Sequence, residues 1–70
     1  MSRLAELKKI WQDDIGSTDR VGELWPDIEA MAEGDVTFAV DRIIELGQVS
    51  DEMMPSDEAL DEMADLAVEP

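Results

Sequence analysis

Carboxylates dominate the reactive side chains of this chain: aspartate and glutamate supply 19 of its 70 residues, while histidine and cysteine are absent. That absence removes the usual general base and the most reactive nucleophile, and no Gly-x-Ser-x-Gly, phosphate-loop or dinucleotide pattern occurs. Catalysis by paired carboxylates would need two acids held across a pocket with separated pKa values. A chain this short has little interior in which to form one, so an enzyme is not expected. A calcium loop would place acids at its first, third and fifth positions. Counted from Asp13 the third residue is Ile15, and counted from Asp14 it is Gly16. Neither a dedicated metal site nor a cofactor is expected, only weak and nonspecific attraction of divalent cations.

What remains is a pattern of acids near the C-terminus. Asp57, Asp61 and Asp65 form one row at helical i, i+4 spacing, and Glu58 and Glu62 form the row beside it. On a helix, the stretch from Asp57 to Asp65 covers about 12 Å, which is roughly 3 Å of axis per charge. One strand of duplex DNA carries a phosphate about every 3.4 Å. The linear charge densities match. The pattern also has a cost, because Asp57/Asp61, Asp61/Asp65, Glu58/Glu62, Asp65/Glu69, Glu58/Asp61 and Glu62/Asp65 are like-charge neighbours. At roughly 0.2 to 0.5 kcal/mol each, these pairs together oppose the helix by about 1 to 3 kcal/mol. A single lysine would relieve that, so the pattern reads as retained for a use. The alternative is an ordinary solvated face.

Charge over the whole chain narrows the partners. With five basic residues the formal net charge is -14. A chain so negative repels nucleic acid and anionic membrane and attracts basic protein surfaces. The distribution is uneven: Arg3, Lys8, Lys9 and Arg20 balance Glu6, Asp13, Asp14 and Asp19 in the first twenty residues. The rest carries fifteen acids against Arg42 alone. Adaptation to high salt would spread acids over the whole surface, which this asymmetry argues against. Without cysteine there are no disulfides to reinforce the fold. No apolar run approaches the roughly 20 residues that span a bilayer, and the first residues lack the apolar centre of a signal peptide. A cytoplasmic protein is expected.

The elements that must position these acids are predicted to be helices. Leu4, Leu7 and Trp11, flanked by Ala5 and Ile10, mark a first helix with Ser2 as N-cap and an end near 14–16. Gly16, Ser17, Thr18 and Asp19 make the clearest turn, and any of the last three could cap a second helix. Val21, Leu24, Trp25, Ile28, Met31 and Ala32 form the next apolar stripe. Pro26 interrupts it, and a proline inside a helix costs about 3 kcal/mol. A kink or break at Trp25 and Pro26 is therefore expected, with Pro26 opening a second piece that begins with Asp27 and Glu29. After Gly34 and Asp35, the residues Val36, Ala39, Val40, Ile43 and Ile44 predict a third helix closed by Gly47. A short strand at 36–40 is the competing assignment, since Val36, Phe38 and Val40 alternate. A loop over 48–55 leads to Ser56, the N-cap of a last helix whose first turn holds Asp57 and Glu58. Ala59, Leu60, Met63, Ala64 and Leu66 supply its apolar side, and its end near 68–70 should fray. Trp11 and Trp25 lie on apolar stripes and are assigned to the core. Met53 and Met54 either offer an adaptable exposed contact or close the bottom of the bundle.

These readings converge on one all-α domain over 1–70, a small bundle of about four short helices. Its expected role is to occupy a basic nucleic-acid groove on another protein, with carboxylates standing in for phosphates. The expected contact residues are Asp57, Glu58, Asp61, Glu62 and Asp65, supported by Asp51 and Glu52. In its size, its charge and its acidic helix from Ser56 to Leu66, the chain resembles the small acidic phage-encoded inhibitors of bacterial defence. It is most similar in kind to anti-CRISPR proteins that look like DNA to the CRISPR effector complex. That resemblance implies a target on the DNA-binding or protospacer-adjacent-motif-reading surface of such a complex, and a location in the bacterial host cell. The alternative is a helix-in-groove module in which Leu60, Met63 and Leu66 dock into a partner and the acids only steer the approach.

Overall fold

A computed structural model describes residues 3–68. Four helices follow one another: α1 (Arg3–Ile15), α2 (Thr18–Ala32), α3 (Val36–Val49) and α4 (Asp57–Val68), with a 3-10 turn at Asp51–Met53 between α3 and α4. Ser2, the expected first N-cap, and the last two residues of the expected frayed end lie outside the described residues. No strand forms among the described residues, so helix wins over strand at 36–40. The side chain of Asp35 decides this locally by accepting a hydrogen bond from the Phe38 N–H at 3.3 Å.

Each helix packs against its neighbours in sequence, α4 closes the ring against α1, and α1 also touches α3 across the short diagonal. Helices α2 and α4 therefore occupy opposite corners. Leu7, Trp11, Val21, Ala39, Ile43 and Met63 are fully buried between them, and Trp25, Ile28 and Met53 nearly so. Both tryptophans thus belong to the core, as their spacing predicted. No polar or charged residue is buried among the described residues. No described helix is long and apolar enough to cross a membrane.

Four local expectations are corrected. Helix α2 runs unbroken through Pro26. The stripe Val21, Trp25, Ile28 and Ala32 is buried on both sides of the proline, while Pro26 and Gly22, the residue whose carbonyl loses its donor, are both exposed, so water can serve it. Trp25 also braces the site, donating from Nε1 to the Glu29 carboxylate at 3.3 Å, a bond that spans the proline. Asp27 and Glu29 consequently sit in a helix interior rather than at a helix start. Gly47 is likewise not a cap: α3 continues to Val49 and is closed by Ser50, whose N–H donates to the Leu46 carbonyl at 2.9 Å. Gly47 serves packing instead, because a Cβ there would lie 2.7 Å from the Met54 Cα. Met31 and Ala64, both assigned to apolar faces, are exposed, because each sits at the edge of its stripe and no neighbouring helix covers that edge. The predicted loop at 48–55 is shorter than expected, since its first two residues are helical and three more form the 3-10 turn.

The two interior glycines should respond in opposite ways to alanine. Gly47→Ala forces a methyl group against the Met54 backbone and should destabilise the fold by about 1 to 3 kcal/mol. Nothing lies within 4 Å of a Cβ at Gly22, so Gly22→Ala should stabilise it by roughly 0.5 to 1 kcal/mol. Urea denaturation of the two variants measures both.

Candidate functional site

Ser56 starts α4 as predicted: its hydroxyl accepts from the Ala59 N–H at 3.3 Å, and its carbonyl accepts from the Leu60 N–H at 2.9 Å. From that start the helix periodicity sorts the side chains. Ala59 and Met63 are buried, and Leu60, Leu66 and Ala67 pack against the core from either side. Asp57, Glu58, Asp61, Glu62 and Asp65 are all exposed. At 3.6 residues per turn these five acids fall within an arc of about 140°, centred almost opposite Met63. The bundle thus turns the acidic arc of α4 outward. No ion pair joins any of the five to a described cation. Glu69, the last member of the acid ladder, lies outside the described residues.

The two supporting acids behave differently. Asp51 and Glu52 are exposed on the 3-10 turn, in the connector that leads into α4. Glu52 turns toward α2, where its carboxylate lies 3.7 Å from the Arg20 guanidinium in a solvent-exposed pair. Such pairs contribute little to stability and are weakened further by salt. A further ion pair among the described residues, Arg42 with Glu45 at 2.6 Å, stays within α3.

Helix α1 adds acids that the sequence reading left inside a balanced N-terminal segment. An open cleft of about 330 Å³ between α1 and α4 is lined by Lys9, Ile10, Asp13, Asp14, Glu58, Ala59 and Glu62. Four carboxylates therefore meet one ammonium group across this seam. Among the described residues no three side chains converge in a way that could hold a metal ion.

A second acidic row, Asp19, Glu23 and Asp27, runs along the exposed side of α2 opposite Val21, Trp25 and Ile28. Its i, i+4, i+8 spacing was visible in the sequence but was masked by the expected break at Pro26. Because α2 and α4 stand at opposite corners, negative charge is present on two sides of the bundle. The rows differ in density: about 6 Å per charge on α2 against about 3 Å on α4. Only the α4 arc approaches the phosphate spacing of a nucleic-acid strand. With this geometry, the chain matches no protein-family model, no curated protein and no solved structure.

The crowding on α4 has a measurable consequence. Asp61 lies three or four residues from Asp57, Glu58 and Asp65. Asp61→Lys replaces three repulsive pairs with attractive ones and should stabilise the protein by about 1 to 3 kcal/mol at low salt. In urea denaturation the gain should shrink as sodium chloride is raised, because these exposed charges are screened.

Proposed function

We propose that this protein is an acidic decoy: the outer face of α4 occupies a basic nucleic-acid-binding surface on a partner protein and blocks nucleic acid from it. The observation that carries this reading is the arc of Asp57, Glu58, Asp61, Glu62 and Asp65, exposed along α4 at roughly 3 Å of helix axis per charge. These carboxylates have no cation partner among the described residues, so no ion pair with those residues must break before lysine and arginine of a partner can engage them. Charge-assisted hydrogen bonds to arginine or lysine would supply affinity, and the net charge of -14 would steer the approach. Asp13, across the cleft from Glu58 and Glu62, extends the same face. Given the resemblance in size and charge to anti-CRISPR inhibitors, the DNA-binding surface of a CRISPR effector complex is the proposed target class.

The packing weighs against docking of α4 through its apolar side. Met63 is fully buried, and Leu60 and Leu66 pack against the core. Offering them to a partner groove would require α4 to leave the bundle.

The test is capture from a bacterial lysate by the immobilised protein, with identification of what is retained. The expected outcome is a DNA-binding complex that is released by a short DNA duplex and whose affinity falls by more than about tenfold as salt rises across the physiological range. The Asp57→Asn, Asp61→Asn, Asp65→Asn triple variant keeps side-chain size and should lose capture. Retention of the same partner by the triple variant, or in excess duplex DNA, would overturn the decoy.

A further inference from the structure

Helix α4 is capped by an arrangement that its own sequence cannot complete. In a capping box, the N-cap serine accepts from the backbone N–H three residues on, and a Glu or Gln at that third residue accepts from the serine N–H in return. Here the first half is present, since the Ser56 hydroxyl accepts from the Ala59 N–H. The second half is missing locally, because the third residue is Ala59, which is buried against the core and has no acceptor. A carboxylate could not be placed at that position without burying it.

Asp14, at the C-terminal end of α1, supplies the missing acceptor. Its Oδ2 accepts from the Ser56 N–H at 2.8 Å, and its Oδ1 accepts from the Ser56 hydroxyl at 2.7 Å. The serine hydroxyl is thereby oriented, its O–H directed at the Asp14 carboxylate and a lone pair left for the Ala59 N–H. The negative charge also stands at the positive end of the α4 dipole, where it is favourable. A second bond of the same sequence separation lies three residues upstream on both sides of the contact: the buried Trp11 Nε1 donates to the Met53 carbonyl at 2.9 Å. Together they strap the connector and the start of α4 along the C-terminal half of α1.

We propose that Asp14 is the positioning residue of the acidic helix. It completes the α4 cap in trans from another helix and so sets where the acidic arc begins and which way it faces. Its importance for function rests on the decoy reading above, whereas its role in capping does not. Asp13, one residue earlier and also exposed, is a charge-matched control that takes no part in the clasp.

Amide hydrogen exchange followed by NMR on the full chain tests this. Asp14→Ala should lower protection at Ala59 and Leu60 by about fivefold to tenfold, while Asp13→Ala, which only relieves repulsion across the seam, should not lower it. Asp14→Asn keeps one acceptor oxygen and should fall between Asp14→Ala and wild type. The Asp14→Ala, Ser56→Ala double variant should lose less protection than the product of the two single losses, because the residues share their bonds. Equal effects of Asp13→Ala and Asp14→Ala, identical behaviour of Asp14→Asn and Asp14→Ala, or strictly multiplicative losses would each overturn the proposal, leaving Asp14 as surface charge. Calorimetric titration with a short poly-lysine peptide separates the two readings. If wild-type protein shows no salt-sensitive binding while the exchange pattern holds, the decoy falls and the clasp stands.

Discussion

The fully buried indole of Trp11 organises the lower half of this bundle. An indole N–H removed from water must find an acceptor or cost on the order of 1 to 3 kcal/mol, and here the acceptor is the carbonyl of Met53, 42 residues away. Meeting that requirement pulls the connector after α3 against α1. Met54 is then laid so close to α3 that only glycine is accommodated at position 47. Three residues beyond Met53, Ser56 arrives beside Asp14. The start of α4, and with it the acidic arc, is therefore placed by a contact made in the apolar core.

Core and surface pull in opposite directions in so small a protein. Apolar burial has to hold together a molecule of net charge -14 without disulfides and with few ion pairs among the described residues. The solution is strict segregation. No charged residue is buried as a whole among the described residues, the one polar side-chain atom among them shut off from solvent without a partner is the Arg42 Nε, and the acids stay hydrated. The penalty that remains is mutual repulsion along α4 and across its seam with α1, spread over exposed groups where water and salt reduce it. Carboxylates left hydrated and unpaired are also the ones a cationic surface can engage at the lowest desolvation cost. The same segregation that lets the fold survive its charge thus leaves that charge available.

The helix-breaking residues show where local rules yield to packing. Proline at position 26 and glycine at position 47 carry strong local expectations of a break and a cap, and both lie inside helices. In each case burial outweighs propensity. The stripe through Val21, Trp25, Ile28 and Ala32 holds α2 together across the proline, whose ring faces solvent. The approach of Met54 requires a missing side chain at Gly47 whatever that costs the helix. Nothing within either segment announces these partners, since the deciding contacts come from the opposite wall of the bundle or from a connector that has no periodicity of its own.

Periodicity and the capping residues marked the four helical segments, though not the unbroken course of α2, together with the Ser56 start of α4, the burial of both tryptophans and the alignment of Asp57, Glu58, Asp61, Glu62 and Asp65, because each depends on residues a few positions apart on one helix. Tertiary structure decided the rest. It turned the α2 row Asp19, Glu23 and Asp27 to the corner away from α4, drew Glu52 toward Arg20, brought Asp13 to the seam beside Glu58 and Glu62, and set the exposed Asp14 against Ser56. These outcomes join groups on different helices, and only the closing of the bundle around its core brings such distant residues within hydrogen-bonding reach.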